Sequence, residues 1–159
     1  MTGWCAEDNV NEITPATVKN GDGFFFRRAS SADGNITISG AIKATSSDPV
    51  ALAKDNLHLI CNPWPVEIAI KDVESMIDVP KGAAKLGDNA DQIWKWDTAG
   101  KKWVRYFYSS GRGSKVTGWC AEDNVVEITT DKIGVGQGFF FRRASSADGT
   151  LTFVKPAGL

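Results

Sequence analysis

Gly138-Phe139-Phe140-Phe141-Arg142-Arg143-Ala144 decides how this chain reads, because the same seven residues stand at Gly23-Phe24-Phe25-Phe26-Arg27-Arg28-Ala29. On a strand, successive side chains leave opposite faces. Phe24, Phe26 and Arg28 therefore share one face, and Phe25, Arg27 and Ala29 the other. Gly21-Asp22-Gly23 and Gly136-Gln137-Gly138 open each strand with residues free to take positive φ. Ser31-Ala32-Asp33-Gly34 supplies turn chemistry, with Asp-Gly favouring a tight hairpin. Asn35-Ile36-Thr37-Ile38 alternates as a return strand, as Thr150-Leu151-Thr152-Phe153 does in the second copy.

The repetition extends outward. Thr2-Gly-Trp-Cys-Ala-Glu-Asp-Asn-Val10 recurs as Thr117 to Val125, and aligning 2–37 with 117–152 needs no gap and gives 26 identities in 36 positions. A period of 115 residues is that of a small domain, well beyond the roughly 20–50 of solenoids and propellers. The chain parses as a partial repeat at 1–42, the closing half of a unit, a connector at 43–56, and a complete β module at 57–159. The half-unit packs on the main body or on a neighbouring chain. Three phenylalanines exposed on it would leave a sticky edge.

Between the copies the pattern remains β. Leu57-His58-Leu59-Ile60-Cys61 is a strand that ends at Asn62-Pro63-Trp64-Pro65, where two prolines stop any ladder. Residues 66–79 permit a strand followed by a short helical turn over Lys71 to Met76. Residues 81–91 read as a polar loop. Gln92 to Trp96 and Trp103 to Tyr108 form the clearest hairpin, flanking Asp97-Thr-Ala-Gly100-Lys-Lys102 with Gly100 where αL is required. The fold class is mainly β: an antiparallel β-sandwich or barrel-like module with an internal repeat and at most one short helix.

Composition bounds the function. With 159 residues, 42% apolar and 10% aromatic, the chain can bury a core. A net charge of −1 and a pI near 5.8 lack the basic balance of nucleic-acid binders. No run of 18 apolar residues exists, so membrane insertion by a helix is not expected. The first nine residues lack the basic-then-apolar pattern of a signal peptide. Cys5, Cys61 and Cys120 are an odd number without a CxxC pair, so they decide no compartment.

Asn62-Pro63-Trp64-Pro65, then Trp94-Lys95-Trp96-Asp97, then Gly136-Gln137-Gly138-Phe139-Phe140 resembles a repeat module of uncharacterised bacterial exported and surface proteins. The resemblance covers roughly 57–155, and 1–42 matches only the last third of such a unit. It implies export, tandem arrangement and a non-enzymatic structural or self-associating role, with adjacent repeat units as partners. It transfers no catalytic residues.

Catalytic candidates are weak. His58, the single histidine, and Cys61 differ by an odd number and so favour opposite strand faces. Neither a Gly-x-Ser-x-Gly elbow nor a His-Glu-x-x-His motif occurs. Glu7-Asp8 and Glu122-Asp123 are adjacent and cannot flank one glycosidic bond. No cofactor is expected. Asp88 and Asp91 offer oxygen ligands of the kind Ca²⁺ takes, or the ordinary turn such residues also suit.

Binding candidates are stronger. Trp94 and Trp96 share a strand face with Trp103 on the return strand nearby, and Tyr106 completes the group. Such tryptophans are core, or a platform that stacks on glycans. Arg27, Arg28, Arg142 and Arg143 form an anion or partner patch, or stack on the neighbouring phenylalanines.

Overall fold

In the computed structural model the described residues are 45–87, 89–111, 117–121 and 130–159. Within these described residues, nine strands and one short 3-10 helix run in the order β1 Val50–Leu52, β2 Leu57–Cys61, β3 Ile68–Ala69, the helix Ile70–Met76, β4 Gln92–Asp97, β5 Lys102–Ser110, β6 Thr117–Cys120, β7 Lys132–Ile133, β8 Gly138–Arg142 and β9 Gly149–Leu151. The chain is mainly β, as expected, and the helix falls where a helical turn was expected.

The principal sheet has five antiparallel strands in the order β2-β8-β4-β5-β6. Two-stranded sheets, β1-β9 and β3-β7, lie apart from it. Neither closes the principal sheet into a barrel, so the architecture is sandwich-like.

Alternation sorts the five strands into two faces. One carries Ile60, Ile93, Tyr106, Trp119, Phe139 and Phe141, all essentially without solvent exposure. Against it pack Trp64, Ile68, Ile70, Val73 and Ile133, with Leu52, Leu151 and Phe153 from the chain around β1 and β9. Each fully buried side chain of this size contributes about 1.5–3 kcal/mol from area alone. The short helix lies here because Ile70 and Val73, three positions apart, project together into the core.

Asn62 ends β2 by a specific device. Its Oδ1 accepts the Trp64 N–H at 2.9 Å, while its Nδ2 donates to the carbonyls of Val66 at 2.7 Å and Gly134 at 3.0 Å. Pro63 and Pro65 prevent the ladder from continuing, and Asn62 turns Trp64 into the core.

Three local expectations are corrected. β8 and β9 do not form a hairpin with each other: β8 inserts between β2 and β4, and β9 pairs with β1. In the β4–β5 turn the residue with positive φ is Lys101, at 50°, and not Gly100. A Cβ on Gly100 would instead meet the Asp97 carboxylate, the end of a flexible side chain that would have to shift. Finally, the stretch read as a connector holds β1, whose Leu52 is buried, and Ser47 N–H donates to the Phe153 carbonyl at 3.0 Å. Residues 47–56 therefore belong to the body of the module. The first repeat copy, 1–42, lies outside the described residues.

Candidate functional site

Among the described residues, the other face of the principal sheet is only partly covered. Residues 81–91 cross its far end through a parallel bridge between Ala83 and Ser109, burying Ala90, Phe107 and Cys120 together. Beyond that cover the face carries Trp94, Trp96, Trp103 and Phe140, with Trp96 39% and Trp103 38% exposed.

Register explains why these rings meet. Trp96 lies opposite Trp103, Trp94 opposite both Arg105 and Phe140. Tyr108 N–H donates to the Asp91 carbonyl at 2.9 Å, which makes that opposed pair a hydrogen-bonded one. Pair types alternate along an antiparallel ladder, so Trp96 and Trp103 form a non-hydrogen-bonded pair, the closer kind. Their centroids are 5.3 Å apart with ring planes at 69°, and Trp103 lies 5.3 Å from Phe140. The result is a strip of three rings, each touching the next.

The strip is held from both ends. Trp94 Nε1 donates to Gln92 Oε1 at 2.9 Å, and Gln92 Nε2 donates to the Gly87 carbonyl at 2.9 Å under the covering loop. The Arg105 guanidinium stands 5.7 Å from the Trp94 ring centre, within cation–π range. At the other end Gln137 Nε2 donates to the Trp96 carbonyl at 3.2 Å. Rings positioned in this way lose little freedom when a ligand stacks on them. Core placement, one of the two expectations for Trp94, Trp96 and Trp103, fails for Trp96 and Trp103; the buried tryptophans are Trp64 and Trp119.

Tyr106 does not belong to the strip. It projects from the opposite face into the core, where its hydroxyl donates to Asp131 Oδ2 at 2.7 Å. Burial, and then the Asp131 carboxylate, push the phenol well above its ordinary range.

The arginine patch is also corrected. Arg142 and Arg143 leave opposite sides of the chain. Arg142 pairs with Asp55 at 2.7 Å near the surface. Arg143 is fully buried and spends its guanidinium internally: Nη1 on Asp91 at 2.8 Å, Nε on the Ala147 carbonyl at 3.0 Å, Nη2 on the carbonyls of Val79 at 3.2 Å and Asp148 at 3.1 Å. The Ser145–Asp148 loop thus wraps the guanidinium. Gly149 closes the wrap, because a Cβ there would lie 2.7 Å from Arg143 Cζ. This close approach, and not a positive φ, is why glycine follows Asp148.

Asp91, offered above as a calcium ligand, is the counter-ion of that arginine. Its Oδ2 also accepts the Lys81 N–H at 2.8 Å and its Oδ1 the Ala144 N–H at 3.0 Å. Burial pushes its carboxyl up, against the pull of those two N–H groups and of Arg143. With both oxygens engaged in the interior, Asp91 is not a metal site, and no cluster of three metal-ligating side chains occurs among the described residues. Asp88, Arg27, Arg28, Cys5, Glu7-Asp8 and Glu122-Asp123 lie outside the described residues.

His58 is half-buried, with Nε2 3.2 Å from the Ala53 carbonyl, and alternation along β2 puts Cys61 on the other face. Sequence reasoning missed Phe140 and Arg105 as members of the strip. The alternation of Phe140 against Phe139 and Phe141 was the available signal for the first, and the second needed the β4–β5 register. No described helix is long and apolar enough to cross a membrane. No family model, no curated protein and no solved structure matches the chain.

Proposed function

We propose that the chain is a non-enzymatic binding module that holds glycans on the open face of its principal sheet. The observation carrying this reading is the half-exposed Trp96–Trp103 pair, continued by Phe140, on a sheet whose opposite face holds the core. Aromatic rings braced on adjacent strands present an apolar surface to the C–H face of a sugar ring. Arg105 and Gln137 stand beside them as donors toward hydroxyl groups. A glycan array tests it: signal should appear for the intact chain and vanish with Trp96→Ala and Trp103→Ala. An array without signal, or signal those substitutions leave untouched, overturns it.

A second reading, a self-associating structural module of an exported tandem-repeat protein, is favoured by the duplication of 2–37 in 117–152. Light scattering that finds a monomer at every concentration would sink it.

A further inference from the structure

The second repeat copy does not sit at the margin of the module. It supplies β6, at one side of the principal sheet, β8, between β2 and β4, and β9, the partner of β1. Residues 45–111 therefore form an incomplete frame, and 117–153 is what completes it. The first copy carries the same key. Trp4, Phe24, Phe26, Arg28 and Gly34 correspond to Trp119, Phe139, Phe141, Arg143 and Gly149, the residues that fill the core face or form the caged arginine and its glycine wall.

We infer that the frame 45–111 is a binding site for either copy, so that residues 2–38 can replace 117–153 as its occupant within the same chain. Connection geometry supports this. Aligned in this way, Ile38 stands where Phe153 stands, and Phe153 accepts a hydrogen bond from Ser47, just ahead of β1. Residues 39–46 would then have to join two neighbouring antiparallel strands. Eight residues reach up to about 26 Å, and strands lie only about 4.8 Å apart. A hairpin loop with Gly40 within it would suffice for that join.

The differences between the copies set the preference. Ala16 replaces Asp131 and abolishes the hydrogen bond from Tyr106. Thr17 replaces Lys132 and its 2.8 Å pair with Glu67. Asp22 replaces Gln137, which bridges to Trp96, and Ile38 is smaller than the buried Phe153. The second copy is the stronger occupant, and the first is a reserve with the same register. This inference does not depend on glycan binding.

The test uses the full chain in a thermodynamic cycle read by urea denaturation. Phe26→Ser alone should barely move the midpoint. Phe141→Ser should lower it while leaving a cooperative transition, because the first copy takes over. Phe26→Ser combined with Phe141→Ser should abolish the transition. Additive effects, or loss of folding with Phe141→Ser alone, overturn the inference. A cross-link gives the second readout. Leu59 opposes Phe140, so Leu59→Cys with Phe140→Cys should form a disulfide. In the Phe141→Ser background, Leu59→Cys with Phe25→Cys should form the corresponding bond, located by peptide mapping. Leu59→Cys with Arg27→Cys, two residues out of register, should not. Equal yields from the last two pairs, or none from the Phe25 pair, also overturn it.

Discussion

Arg143 Nη1 donates to Asp91 Oδ2 at 2.8 Å, with both side chains shut away from solvent. The pair ties the end of β8 to the residue just before β4, and backbone N–H groups on each side complete the carboxylate's shell. Buried charges satisfied to this degree need not outweigh a well-packed apolar substitute, but losing one partner strands the other.

Removing Asp91 alone is therefore costly. Asp91→Ala should destabilise the fold by about 3–5 kcal/mol, and Arg143→Met by a similar amount. The double variant should recover part of the sum, since no charge is then left alone. Urea midpoints across the four proteins check this, and strict additivity would contradict it.

Gly149→Ala probes the same cage from its wall. The added methyl meets the guanidinium at 2.7 Å and has only the Ala147 and Asp148 loop to push against. A loss of about 1–3 kcal/mol is expected. Gly136→Ala makes a useful comparison, because a Cβ there meets nothing and its cost comes only from φ of 63°.

Alkaline pH should loosen the core through Tyr106. Its phenol titrates above the ordinary value of about 10 in the folded protein. Stability from the protonated form is then complete below about pH 10 and falls as the pH climbs through the raised folded value. Tyr106→Phe removes that loss. The wild-type advantage over the variant, measured by urea midpoints, should shrink above pH 10, and a constant gap would refute the assignment.

Tryptophan accessibility separates the two faces. In a Trp4→Phe background, acrylamide should quench Trp96 and Trp103 readily, Trp94 less, and Trp64 and Trp119 hardly at all. Trp96→Phe with Trp103→Phe should remove most of the accessible fraction. The corresponding alanine substitutions should each cost no more than about 1 kcal/mol, the scale of one cross-strand pair.

Period-two patterning made β2, β4, β5 and β8 and their faces legible, because burial on one side of a sheet acts on each residue locally, while β1 passed as connector and the short helix was read from the spacing of Ile70 and Val73. Phe139 and Phe141 against Phe140 is the clearest case, and the same rule separates His58 from Cys61. The local β4–β5 hairpin was legible as well, but the neighbour relations of the repeated segment were not. That β8 pairs with β2 and β4, and β9 with β1, depends on contacts far apart in the chain, which periodicity does not encode. Arg143 was readable as sharing the phenylalanine face, yet its counter-ion lies 52 residues away. Asp91 therefore looked like a surface ligand. Tyr106 was grouped with the tryptophans although it differs from Trp103 by an odd number, and alternation alone separates the two.

The place of β8 between β2 and β4 also bears on how the protein is made. Translation delivers β2, β4 and β5 well before the strand that joins the first two, so among the described strands β2 has no partner until β8 is synthesised. A sheet whose middle strand arrives late has a high contact order and folds slowly. During that wait the identical run Gly23–Arg27 has already emerged, about 115 residues ahead of its counterpart. If the frame accepts either copy, as inferred above, the order in which the two meet the ribosome exit sets which of them reaches it first.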